Sequence, residues 1–230
     1  MIRDILEDRG ITLTDTQADK FQRYYELLVE WNEKMNLTAI TDEDGVAVKH
    51  FYDSLTILDT YDLRNESLID VGAGAGFPSI PLKIMRPDLK VTIVDSLGKR
   101  ITFLNHLVGE LGLENVTCVH ARAEEYAQDY RESFDIATAR AVARLNILAE
   151  LCLPYVRMGG HFLALKGRDG EQELREARKG INQLGGKVVK DSAFSLSDES
   201  DFRHNIVIEK VKNTPARYPR QYAKIKKKPL

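Results

Sequence analysis

Only two cysteines, Cys118 and Cys152, occur among the 230 residues, far apart and in apolar contexts. That excludes a disulfide-stapled scaffold and fits buried free thiols in a reducing compartment. No run of about 18 apolar residues is present, so no membrane span is expected. The N-terminal MIRDILEDRG carries three acids and has neither an apolar h-region nor a small-residue cleavage site, so it does not read as a secretory signal. Internal repeats are absent, as is low-complexity sequence outside a lysine-rich end. These absences point to a cytoplasmic chain with no membrane partner and no metal.

What is present suffices for one sizeable core: 43% of residues are hydrophobic and 30% charged. The net charge of −2 is unevenly spread. Residues 210–230 hold eight bases (Lys210, Lys212, Arg217, Arg220, Lys224, Lys226, Lys227, Lys228) and no acid, leaving 25 basic and 35 acidic residues, a net of −10, in the rest. An acidic body with a basic end is the asymmetry of a chain that grips a polyanion at one place, or of a solvated tail.

Phe21, Tyr24, Leu28, Trp31 and Met35 recur every three or four residues and predict a long helix, capped at Thr14 or Asp15. A second helix is predicted over about 43–58. From Ser67 the pattern changes. Runs at 67–71, 90–95, 116–120, 134–139 and 161–166 alternate with helical stretches near 79–85, 97–110, 123–131, 143–156 and 170–184. Such alternation predicts a parallel sheet covered on both faces. KVVKDSAFSL and HNIVIEKV are separated only by SDESDF, so they read as an antiparallel pair and bring the strands to seven. The expected organisation is a helical extension (1–60), an α/β domain (61–212) and a basic tail (213–230).

The most informative segment is Asp70-Val71-Gly72-Ala73-Gly74-Ala75-Gly76-Phe77-Pro78, a strand running into a glycine turn before a helix. Glycine admits positive φ and lets backbone N–H groups approach a ligand. The helix start, near Pro78, offers free N–H groups. A dinucleotide fingerprint would place a third glycine where Phe77 stands. It would also be ill served by Asp70, whose carboxylate repels a pyrophosphate but suits the ammonium and sulfonium of S-adenosylmethionine. Asp95 ends the next strand, where a carboxylate can accept both ribose hydroxyls. D-x-G-x-G-x-G followed by that acid resembles the methyltransferase signature. The resemblance implies a Rossmann-like, seven-stranded class I S-adenosylmethionine-dependent methyltransferase fold with an N-terminal helical extension. In this fold the loop after the third strand borders the adenine, where backbone groups of Ala123 and Glu124 would read its edge. The same acids also suit a plain helix N-terminus.

The acceptor is approached by elimination. Methylation at pyrimidine carbon-5 needs a cysteine nucleophile, but neither cysteine ends the fourth strand. Exocyclic amines go with an Asn-Pro-Pro-Tyr type loop, where this chain has Thr138-Ala139-Arg140-Ala141-Val142-Ala143. A ring nitrogen such as guanine N7 already carries a free lone pair and needs proximity rather than a base. No catalytic residue is assigned outright. Arg140 and Lys166, each at a strand end, are candidates; either could hold a phosphate or a guanine edge, or simply pair with an acid.

The whole chain resembles the small-subunit ribosomal RNA methyltransferase G (glucose-inhibited division protein B) family. The resemblance runs through Trp31-Asn32-Glu33-Lys34-Met35-Asn36-Leu37-Thr38, His50-Phe51-Tyr52-Asp53-Ser54-Leu55, the glycine loop to Leu82, Ala123-Glu124, Thr138 to Val142, Tyr218-Pro219-Arg220 and Lys228-Pro229-Leu230. One departure is Tyr222-Ala223-Lys224-Ile225, where the family usually has a glycine and a proline. The resemblance implies a bacterial cytosolic enzyme that methylates N7 of guanine 527 in 16S rRNA, with small-subunit rRNA as partner; separately, the chain is expected to be a monomer. It also implies cofactor contacts at Gly72, Phe77, Ala123, Glu124 and Arg140, beside Asp70, Gly74, Gly76 and Asp95 from the loop reading. RNA contacts are expected from Arg217, Arg220, Lys224, Lys226, Lys227 and Lys228. The competing readings are a nucleic-acid-binding module without catalysis, which need not bind the cofactor, and a nicotinamide oxidoreductase, which the displaced third glycine and Asp70 disfavour.

Overall fold

A computed structural model describes residues 1–197 and 201–230. Seven strands form one sheet in the order β3-β2-β1-β4-β5-β7-β6. They are β1 (Ser67–Val71), β2 (Lys90–Asp95), β3 (Val116–His120), β4 (Phe134–Arg140), β5 (Val156–Lys166), β6 (Gly186–Ser195) and β7 (Phe202–Lys210). The first five are mutually parallel, and β7 runs antiparallel to both β5 and β6. The antiparallel pair expected at the end is therefore present; residues 198–200 of its SDESDF link lie outside the described residues.

The helices are α1 (Ile2–Glu7), α2 (Asp15–Met35), α3 (Glu43–Val46), α4 (Asp53–Leu55), α5 (Ser79–Met85), α6 (Gly98–Glu110), α7 (Ala123–Asp129), α8 (Leu145–Cys152), α9 (Gly170–Gln183) and α10 (Tyr222–Lys227). Alternation along each strand sends neighbouring side chains to opposite faces. Leu68, Ile93 and Leu163 join a core with Phe21, Tyr24, Leu28, Phe51, Ile80 and Leu104, so α2, the helical run after α3, α5 and α6 cover one face. Ile69, Val94 and Ala164 join Leu148, Ile181, Tyr218 and Ile225, so α8, α9 and the C-terminal segment cover the other. The helical extension thus shares one hydrophobic core with the sheet.

The stripe of α2 faces inward as its spacing predicts, with Phe21, Tyr24 and Leu28 fully buried. Thr14 caps it, its hydroxyl accepting from the Gln17 N–H while the Gln17 side chain accepts from the Thr14 N–H. The predicted second helix departs from regularity. Between α3 and α4 the chain adopts π-helical geometry over Ala47–Tyr52, and a 3-10 turn, Thr56–Asp59, follows. Such widened turns concentrate at functional sites. The helix expected over 143–156 starts at Leu145 and gives way to a 3-10 turn, Leu153–Tyr155, because Pro154 has no N–H to continue the ladder. β5 therefore begins five residues before its apolar run, at Val156.

The basic end of the chain is folded onto the body. Lys210 is fully buried, its ammonium donating to the Leu153 and Val156 carbonyls at 2.7 and 2.9 Å and pairing with Glu132 at 3.1 Å. The Arg131 guanidinium donates to the carbonyls of Tyr218 (2.6 Å), Pro215 (3.1 Å) and Thr214.

Candidate functional site

The C-terminal ends of β3, β2, β1 and β4 open onto a cavity of about 480 Å³, the size of small-molecule cofactor sites. Ligands of open parallel sheets collect at such strand ends. Gly72, Ala73, Gly74 and Ala75 line its floor, and Gly72 and Gly74 take φ of +77° and +62°, which a side-chain-bearing residue rarely adopts. A Cβ built on Gly74 would meet no protein atom within 4 Å, so its backbone is open to a ligand. The loop is braced from below by α2, whose Tyr24 hydroxyl donates to the Ala75 carbonyl at 2.6 Å and whose ring stacks on Phe77.

Asp95 ends β2 on the cavity wall and is 3% exposed. One of its oxygens accepts from the Leu97 N–H at 2.9 Å, the other from the Gly74 N–H and Arg100, both at 3.3 Å. A carboxylate oxygen has capacity for further donors, so the ribose assignment is compatible with these bonds. Past β3, Ala121, Arg122, Ala123 and Glu124 line the next stretch. Glu124 accepts from the Arg122 side chain at 3.1 Å and from the Tyr222 N–H at 3.2 Å.

Arg140 closes the opposite end. Its guanidinium lies 5.0 Å from the Phe77 ring centroid and donates to Asp53 and to the Lys49 carbonyl, each at 2.9 Å. Asp53 also accepts from Arg203 of β7 at 3.1 Å. His50, carried by the π-helical turn, also stacks on Phe77, with centroids 4.7 Å apart, and its Nε2 lies 2.7 Å from the Thr38 hydroxyl. Burial, helped by the charge of Arg140, lowers His50 to about 4, so the ring is neutral at physiological pH. Ala141 follows with φ +56°, an unusual conformation for a residue with a side chain. It turns Val142 over Gly72, where an added Cβ would lie 2.9 Å from a Val142 methyl.

Three expected site residues lie elsewhere. Asp70 is fully buried beneath the loop rather than on the cavity wall, and accepts from the Ser79 N–H at 3.1 Å. It serves the start of α5, where an acid is favoured, and burial raises it to about 7. Gly76 also faces away from the cavity: a Cβ there would lie 2.7 Å from the Tyr24 hydroxyl, so glycine is demanded by packing. Lys166 pairs with Glu173 and donates to the Ala143 carbonyl, both at 2.8 Å, and is off the cavity wall. In the C-terminal segment, Arg217, Lys224, Lys226, Lys227 and Lys228 are exposed. Arg220 is engaged: its backbone N–H and side chain reach the wholly buried Glu150 at 2.9, 2.8 and 2.6 Å.

Sequence reasoning assigned no site role to Thr38, His50 or Arg100, all of which line the cavity together with Tyr222, an aromatic of the C-terminal segment. For Thr38 and His50 the signal available was their place in the two segments of the helical extension that carry the family resemblance, Trp31 to Thr38 and His50 to Leu55; Arg100 lies outside every such segment.

The residues around the cavity fit S-adenosylmethionine, the cofactor of methyltransferases with this fold: an unobstructed glycine backbone, a strand-end acid for the ribose, and a pocket of cofactor size. Solved structures similar in fold include the YcgJ protein of Bacillus subtilis (TM-score 0.53, 18% identity, covering 72% of this chain and 100% of that one). M. jannaschii TYW2 in complex with AdoMet is similar too (TM-score 0.56, 13% identity, 70% and 76% covered). Residues 17–200 match the sequence profile of the GidB family, described as rRNA small subunit methyltransferase G. The ribosomal RNA small subunit methyltransferase G of Staphylococcus carnosus (strain TM300) is 58% identical over 229 residues, covering 98% of this chain and 95% of its own. That of Staphylococcus aureus (strain Newman) is 56% identical over 227 residues, with the same coverage of both chains. A likeness that extends from the helical extension to the C-terminal segment, well beyond what the shared fold requires, shows that the chain belongs to the rRNA small subunit methyltransferase G family.

Proposed function

We propose that the chain methylates N7 of guanine 527 in 16S ribosomal RNA, in the bacterial cytoplasm. One observation carries the choice of acceptor atom. The end of the cavity where an acceptor would arrive, formed by Gly72, Phe77, Arg140, Ala141 and Val142, offers neither a thiol nor a carboxylate among the described residues. Cys118 and Cys152 lie off the cavity wall, and burial raises both thiols, Cys118 to about 11, away from a reactive thiolate. Arg140 cannot accept a proton, and both ring nitrogens of the neutral His50 are already engaged, Nε2 with the Thr38 hydroxyl at 2.7 Å and Nδ1 with the Lys49 carbonyl at 3.0 Å. Such a site suits an acceptor that already presents a lone pair, where positioning and charge supply the catalysis.

When bound, S-adenosylmethionine supplies a methyl group on a sulfonium: the guanine N7 lone pair forms the new N–CH3 bond, and the sulfur keeps the electrons of the old one. Arg140, fixed by Asp53 and the Lys49 carbonyl, would orient the guanine edge or a flanking phosphate. Val142, 37% exposed at the mouth, offers an apolar contact to an unstacked base. Arg217, Lys224, Lys226, Lys227 and Lys228 would bind phosphates without reading sequence. Mass mapping of 16S rRNA from cells with and without the gene tests this reading. Loss of 7-methylguanosine at position 527 alone is expected; loss of a different modification would refute it.

A further inference from the structure

The cavity has a wall that the glycine loop and strand ends do not supply. Tyr222, the first residue of α10, lines it beside Ala121, Ala123 and Glu124. Its N–H donates to Glu124 at 3.2 Å, and the Arg122 guanidinium lies 6.0 Å from its ring centroid. The end of the cavity at which it stands follows from strand order. The floor runs from β3 through β2 and β1 to β4. The glycines lie at β1, the ribose-binding acid Asp95 at β2, and the acceptor entrance at β4, so the purine belongs at the β3 end. A partly exposed aromatic ring placed there is what a purine face would pack against.

The placement of Tyr222 is built with buried charge. Two residues before it, Arg220 makes three hydrogen bonds to Glu150 of α8, a carboxylate with no exposed surface. A fourth ties Arg220 to the Lys228 carbonyl at 3.0 Å, closing α10 into a loop on that anchor. Ile225, on the inner face of α10, is fully buried, and Leu230 packs so closely on α9 that a Cβ on Gly180 would lie 2.7 Å from it. Burying the Glu150 carboxylate under Arg220 to hold a surface segment costs desolvation, and a segment serving only as a loose phosphate grip would not need it.

We propose that Tyr222 is a binding residue for the adenine of S-adenosylmethionine, and that Arg220 with Glu150 is the positioning pair that sets it against the cavity. The C-terminal segment is then part of the cofactor site on its inner face, while its exposed lysines point outward.

The test is calorimetric titration of the full chain with S-adenosylhomocysteine. Stacking of a base on an aromatic ring predicts a loss of about tenfold or more for Tyr222→Ala, with Tyr222→Phe within about threefold of the parent. Arg220→Ala should lose affinity as well, and adding it to Tyr222→Ala should cost less than the two losses combined, since it acts through the ring. Tyr222→Trp provides a readout that a general structural role would not move. Saturating S-adenosylhomocysteine should change the emission of the introduced indole, measured against the parent, in which Trp31 is the sole tryptophan and does not line the cavity. Parental affinity in Tyr222→Ala, or unresponsive emission in Tyr222→Trp, would overturn the assignment of the ring. Fully additive losses would overturn the positioning role of Arg220. Should Tyr222→Ala fail to fold, the emission of Tyr222→Trp decides alone.

Discussion

At the end of β4 the Arg140 guanidinium meets the Asp53 carboxylate at 2.9 Å, and the two side chains are only 12% and 9% exposed. Asp53 belongs to the helical extension, so this pair fastens the extension to the edge of the cavity. The same buried carboxylate takes Arg203 from β7, making it the joint acid of two partly buried guanidiniums. Removing it leaves both charges without that partner. Asp53→Ala should lose about 3 kcal/mol of stability in urea unfolding, the usual cost of orphaning a buried pair. A loss below about 1 kcal/mol would show that Asp53 holds nothing essential.

Asp70 and His50 give opposite pH dependences. Folding raises Asp70 from 3.8 to about 7, so the folded protein keeps a proton that the unfolded chain has released. Its contribution to stability is full below about pH 4 and is lost as pH rises through about 7. Asp70→Asn should therefore gain stability relative to the parent across that window, by on the order of a few kcal/mol. Folding lowers His50 from 6.5 to about 4, so the unfolded chain takes up the proton first. That contribution is present above about pH 6.5 and is lost as pH falls toward about 4, and His50→Gln should flatten it. Urea midpoints of the three proteins at several pH values check both; a pH-independent difference from the parent would refute the corresponding assignment.

The acids that end β2 and lie beneath the glycine loop, Asp95 and Asp70, should separate in cofactor binding. Asp95 lines the cavity and Asp70 lies beneath it. Asp95→Ala should weaken S-adenosylmethionine roughly ten- to a hundredfold, the effect of losing hydrogen bonds to a charged group. Asp70→Asn preserves the acceptor for the Ser79 N–H and should bind within about twofold of the parent. Calorimetry beside melting temperatures distinguishes these outcomes from unfolding. Unchanged binding in Asp95→Ala would remove the ribose assignment.

The outer lysines should act on RNA alone. Replacing Lys224, Lys226, Lys227 and Lys228 together by alanine should weaken binding to the rRNA substrate and leave cofactor affinity unchanged. The slope of log affinity against log salt should fall by about 0.7 for each single-strand phosphate that is no longer neutralised. An unchanged slope would mean that these side chains meet no phosphate.

The architecture was legible because its signals are local. Apolar runs at 67–71 and 90–95 alternate with helical stretches, and this alone implies a parallel sheet; the short SDESDF link forces the last two strands to be antiparallel. Positive φ at Gly72 and Gly74 and the place of Asp95 at a strand end follow from the same local reading. What the linear chain could not reveal depends on partners far apart along it. Gly76 looks like Gly74 in sequence, yet one is required by the hydroxyl of Tyr24 on a distant helix and the other faces the open cavity. Asp70 reads as a cofactor acid, but its direction out of β1 turns it under the loop. Arg220 and Lys210 count as basic tail in any composition, while the fold commits them to Glu150 and Glu132. Sequence determined which groups exist and which elements they ride on. Only the tertiary structure decided which charges stay free for a ligand, because a buried acid brought within hydrogen-bonding distance claims its base before any polyanion can.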